Sequence, residues 1–206
     1  MPTYDHTTKT ITVKLVYYGA PMSGKSTSMA AIHQHLRPDL RRGLQSEATE
    51  THRIFFFHFT PDDPSPVTGY AVQVHVVTVP GAVWSAATRL ASLDHVDGVV
   101  FVADSQPDQL QRTRDYLQEM GTTILATGRL ITTLPVVLQY TKRDIPNVLP
   151  VTVMDNSLNL LGWPRFESQM IGPWREPGWQ SERLVGAVAP FHALYQQVVQ
   201  QLTPNT

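Results

Sequence analysis

The stretch at residues 19–27, GAPMSGKST, constrains this chain more than any other. It follows an apolar run rich in β-branched and aromatic residues, TITVKLVYY, and precedes Met29, Ile32 and Leu36 at helical spacing, so it joins a strand to a helix. Gly19, Gly24, Lys25 and Ser26 satisfy G-x-x-x-x-G-K-[ST]. In that pattern the glycines let successive backbone NH groups curl around a phosphate, with the following helix N-terminus pointing at it. Ala20, Ser23 and Thr27 belong to the same expected cradle. Lys25 is expected to bridge the β and γ phosphates of a nucleoside triphosphate, and Ser26 to offer its hydroxyl to Mg²⁺, a hard cation that prefers oxygen.

The rest of the chain supplies the sheet that such a loop needs. RIFFFHF and AVQVHVVTV are β-rich runs separated by TPDDPSPVTG, whose prolines, aspartates and glycine mark a turn, so they predict an antiparallel hairpin. GVVFVAD and LPVVLQY are short, apolar nearly throughout and alternate with helical stretches, as parallel strands covered on both faces do. The expected fold is therefore α/β: a P-loop domain with a doubly wound, mostly parallel sheet and one antiparallel hairpin strand. Phe191, Leu194, Tyr195, Val198, Val199 and Leu202 form one stripe of a final helix packed on that sheet. Ser105 and Asp108 around Pro107 predict a helix start with the serine as cap. Between residues 161 and 181 the prolines, glycines and Trp163, Trp174 and Trp179 break every period, which predicts an irregular surface segment. Residues 1–206 are expected to form a single domain.

Charge excludes some partners. Sixteen basic and 17 acidic residues leave a net charge of −1, so no bulk field draws the chain to nucleic acid or an anionic membrane. The absence of cysteine excludes disulfides, thiolate metal ligands and thioether or thioester lipid anchors. No apolar segment approaches a membrane span and the first residues lack a targeting pattern, so a cytoplasmic protein with no stable membrane anchor is expected. The eight histidines show no pairing with a third ligand at metal-binding spacing, and His58 and His75 are expected to face solvent.

TKRD at residues 141–144 bears on which base is held. It follows an apolar strand, where ligand contacts gather at the carboxyl edge of an α/β sheet. Asp144 there could accept two hydrogen bonds from the N1 and N2 donors of guanine, a pair that adenine lacks. The nucleotide expected is GTP or GDP.

With these residues in view, the sequence resembles the Ras-like small GTPases of bacterial polarity control, the mutual gliding protein A type. The likeness lies in KLVYYG, ATETHR, TVPG, VDGVVFVADSQ, LQYTKRDIPN and AVAP, in that order. The resemblance implies a GTP-dependent switch whose partner is a roadblock-fold dimer that promotes hydrolysis and exchange, with polarity effectors downstream at a cell pole. It also implies a second strand that slides in register on activation. By residue, it implies that Gly81 senses the γ-phosphate, that Arg53 acts as an arginine finger in cis, that Thr141, Lys142 and Asp144 read the base, and that Ala187, Val188 and Ala189 close over the guanine.

Departures from the family pattern concern the chemistry more than the binding. Ala82 stands where a glutamine orients the attacking water. Ile54 replaces a first-switch threonine, with Thr49 or Thr51 as candidate substitutes, and His52 and His58 replace aspartates. Pro21 and Met22 add side chains to the loop where the family carries Gly and Leu, and Thr141 replaces an asparagine. Three readings stay open: a GTP-binding switch with slow or partner-dependent hydrolysis, a pseudo-GTPase scaffold that binds guanine nucleotide without turnover, and a P-loop kinase or ATPase. The last wants an acidic strand end, where this chain has Thr78, and an arginine-rich lid.

Overall fold

The structure, a computed structural model, describes residues 2–48, 53–79, 86–170 and 184–202. In chain order these form β1 (Thr3–Asp5), β2 (Thr10–Tyr18), α1 (Lys25–His35), β3 (Gln45–Ala48), β4 (Arg53–Phe59), β5 (Ala71–Thr78), α2 (Ala86–Leu93), β6 (Gly98–Asp104), α3 (Leu110–Ala126), β7 (Val136–Thr141), α4 (Val151–Leu158), β8 (Arg165–Glu167), β9 (Gln169–Met170), β10 (Leu184–Val185) and α5 (Val188–Leu202). Thr49, Thr51, His52, Gly81, Ala82, Trp174, Trp179 and the rest of residues 171–181 lie outside the described residues.

One sheet runs β3-β4-β5-β2-β6-β7-β8, with β1 paired to the start of β2. The β5-β2-β6-β7-β8 part is parallel, and β4 pairs antiparallel to β5, as the hairpin pattern predicts. The period of two sorts side chains between two cores. Ile11, Val13, Leu15 and Tyr17 of β2, with Val100, Val102 and Val137, meet Met29 and Ile32 of α1 and Phe191, Leu194 and Val198 of α5. Val16, Tyr18, Phe101, Leu138 and Tyr140 meet Leu93 of α2, Met120 and Ile124 of α3 and Met154 of α4. Each such side chain contributes about 1.5–3 kcal/mol on burial, which makes β6 and β7, buried at every position, the most strongly held strands. The stripe of α5 is core, as predicted, with Val199 half-buried at its margin.

Three expectations need correction. Residues 165–167 are not irregular: β8 extends the sheet by pairing parallel to β7, Leu138 opposite Arg165 and Tyr140 opposite Glu167. A strand of three residues is too short to show a period, and its pairing runs through backbone groups that any sequence carries. Ser105 is not a cap; it is fully buried, and Asp104 instead accepts from the Gln106 backbone NH through Oδ1 at 3.0 Å. His58 and His75 do not simply face solvent. The register sets them directly opposite, and their rings stack at 4.4 Å between centroids, half-buried.

Candidate nucleotide site

The phosphate loop leaves β2 at the carboxyl edge of the sheet. Gly19 has φ +146°, and a Cβ there would lie 2.3 Å from the Val102 carbonyl oxygen, so only glycine lets the loop turn this tightly against β6. Gly24, at φ 100°, turns the chain into α1, whose first residue is Lys25. Ala20 and Ser23 are buried, Ser26 and Thr27 half-buried, and Met22 holds a left-handed φ of 62° with its side chain out in solvent. Lys25 is buried, and its ammonium donates to the carbonyls of Gly19 at 2.9 Å and Ala20 at 2.7 Å. Burial, with the Arg112 charge as a lesser cause, lowers its pKa to about 7. Among the described residues no carboxylate pairs with Lys25, and a phosphate group would supply that counter-charge.

The base side is tied to this loop by side chains of β7 and of the turn after it. The Thr141 hydroxyl reaches the Ser23 carbonyl at 2.7 Å and the Ala103 carbonyl at 3.1 Å, which anchors the TKRD turn to the phosphate loop and β6 at one point. Lys142, at φ 60°, pairs with Asp104 at 2.5 Å. Asp144 accepts from the Met170 backbone NH through Oδ1 at 2.9 Å, while its buried Oδ2 has no partner among the described residues. An orphaned buried carboxylate oxygen at this place fits an amine or amide donor such as those on guanine.

Met170 was not legible in advance, because a backbone NH has no sequence signature. Its approach is built by neighbours: Ser168 donates its NH to Tyr140 and accepts from the Arg143 NH, and β9 pairs with β10, Met170 opposite Leu184. Ala187, Val188 and Ala189 follow β10 at the entry to α5, Ala187 fully buried and Ala189 exposed. The backbone contact onto Asp144 comes from the segment after β8 rather than from these three residues.

No protein-family model matches the chain. It is 35% identical to the mutual gliding-motility protein MglA of Myxococcus xanthus (strain DK1622) over 164 residues, covering 80% of this chain and 84% of that protein. This chain belongs to the MglA family of Ras-like GTPases. An α/β domain with a mostly parallel sheet and a phosphate loop at the end of β2 is the architecture that membership requires.

Within this MglA-type domain the remaining site residues are unevenly placed. Arg53 opens β4, its backbone opposite Ala48 of β3. Thr78 ends β5, and its hydroxyl lies 3.0 Å from the Phe55 NH and 3.3 Å from the Phe55 carbonyl. The hydroxyl thus clamps β4 to β5 and is spent on the backbone. Ser26, half-buried at the start of α1, carries a hydroxyl oxygen that could serve Mg²⁺, and no group of three His, Cys, Asp or Glu that could hold a metal occurs among the described residues. When bound, Mg²⁺ would supply charge neutralisation to the phosphates. No helix among the described residues is long and apolar enough to cross a membrane.

Proposed function

We propose that this chain is a GTP-binding switch of the polarity and gliding-motility type, cycling between GTP and GDP with hydrolysis that is slow or dependent on a partner. The observation that carries the reading is the joining of two neighbouring features: Thr141 holds the phosphate loop, while Asp144, three residues on, keeps one buried oxygen without a partner among the described residues. In this reading Lys25 holds the β and γ phosphates, Ser26 contributes to Mg²⁺, Asp144 takes the guanine N1 and N2 donors, and Met170 positions Asp144. The partner proposed is a roadblock-fold dimer that accelerates hydrolysis, with the Arg53 guanidinium stabilising γ-phosphate charge.

Ala82 also favours a second reading, a pseudo-GTPase scaffold, because its methyl group cannot orient a water. Single-turnover GTP hydrolysis separates the two. Restoring an amide with Ala82→Gln is expected to raise the rate at least about tenfold, equivalent to about 1.4 kcal/mol of barrier, with GTP affinity nearly unchanged. No turnover by either form, with a roadblock-fold partner present, would favour the scaffold. A wild-type rate already equal to that of the variant would show that another residue orients the water.

A further inference from the structure

Gln139 sits in β7, two residues before Thr141, so both project from the same face of the strand, toward α1. It is fully buried, on a face that it shares with apolar Val137 and with the buried Thr141. Its amide Nε2 lies 2.9 Å from Ser28 Oγ and 3.0 Å from Ser168 Oγ. Both serines are themselves buried. Ser28 is one turn into α1 from Lys25, and its NH makes the first helical bond, to the Gly24 carbonyl at 2.9 Å. Ser168 leads directly to the base side: its carbonyl accepts from the Arg143 NH, and Met170, two residues on, donates to Asp144. A hydroxyl can donate or accept, so either orientation of the amide bridges the two serines.

We infer that Gln139 is a positioning residue that couples the phosphate end of the nucleotide site to the base end, through Ser28 on one side and Ser168 with Met170 on the other. This inference rests on the nucleotide reading above and names a residue that does not touch the nucleotide. The physical case is the cost of burying three polar side chains that apolar ones could replace. One amide atom, Oε1, has no partner among the described residues. A strand serving the core alone would carry valine here, as at Val137 on the same face. What the amide adds is geometry. It fixes the distance between the first turn of α1 and the end of β8, and thereby where the Met170 NH holds Asp144 relative to Lys25.

The experiment measures dissociation constants for GDP and inosine diphosphate, which lacks the 2-amino group, in wild type, Gln139→Leu, Ser28→Ala, Ser168→Ala and the double serine variant. Wild type is expected to prefer GDP. Gln139→Leu is expected to reduce that preference at least about fivefold, at the low end of typical coupling between sites. Each serine variant alone is expected to lose nearly as much preference as the double variant, because breaking either link breaks the bridge. A residue that merely filled the core would lower the melting temperature and leave the GDP preference unchanged, and that outcome overturns the inference. So do strictly additive serine effects, which also decide the matter if Gln139→Leu does not fold. Failure of wild type to bind either nucleotide overturns the functional reading itself, and the coupling with it.

Discussion

The two sides of the central strand β2 are built on different principles. On the β6–β7 side, strands are buried at every position and their carboxyl ends are cross-tied by side chains: Thr141 to Ser23, Lys142 to Asp104, Gln139 to Ser28 and Ser168. On the β4–β5 side, the inward residues Phe57, Phe59, Val74 and Val76 are core, while the opposite face carries the half-buried Phe56, His58, Gln73 and His75. That face is held by ring contacts, while the Thr78 hydroxyl, on the inward face, bonds the Phe55 backbone. The difference teaches where rigidity was placed. The proposed recognition of phosphate and base at a fixed spacing would gain from ties that lose energy steeply when displaced. A strand pair whose second face is only half-buried gives way at lower free energy, as the proposed switch would require.

The sharpest way to break this contrast is Gly19→Ala. The new methyl group would meet the Val102 carbonyl oxygen at 2.3 Å in a backbone conformation closed to alanine, so the loop must move. GDP binding measured by calorimetry is expected to weaken at least about a thousandfold, or about 4 kcal/mol. His58→Ala, which removes a whole ring on the other side, is expected to change GDP affinity by less than about threefold. A comparable loss from both would erase the distinction between the two sides.

Asp144→Asn tests the base end more gently. Oδ1 can still accept from Met170, while the free Oδ2 is replaced by an NH₂ that meets donors with a donor. GTP and GDP are expected to weaken about a hundredfold, the value of a charge-assisted pair of hydrogen bonds at about 3 kcal/mol, with thermal stability of the free protein little changed. ATP binding as tight as GTP binding in wild type would count against guanine recognition.

The smallest effect lies on the other side and depends on pH. His75 is lowered to about 4, first by burial and then by the charges of His58 and Lys14. His58 is lowered as well, by burial and by Arg42. Folding therefore favours the neutral rings. Their contribution is fully present above the unfolded value near 6.5 and is lost as pH falls toward about 4, because the unfolded chain binds protons that the folded pair resists. Discounted for the half-exposed rings, the loss is about 1 kcal/mol, or about 3 °C in melting temperature between pH 7 and pH 5. His75→Gln is expected to flatten that slope. A slope unchanged by the substitution would assign the acid sensitivity to other groups.

Much of this molecule was written locally. The phosphate loop, the strands β2, β5, β6 and β7, the β4–β5 hairpin and the core stripe of α5 could be read from the chain, because glycine patterns, period-two alternation and helical spacing act over a few residues. The place of TKRD at the end of an apolar strand was legible for the same reason. Tertiary structure alone decided the rest. The pairing of β8 with β7, the stack of His58 on His75, the bridge from Ser28 through Gln139 to Ser168, and the Met170 NH on Asp144 all join residues from separate elements. Two of them, the β8 ladder and the Met170 contact, use backbone groups that every residue possesses, so no residue type could announce them. The other two depend on strand register and on the distance between α1 and the end of β8. Packing of the whole sheet sets those quantities, and no single segment encodes them.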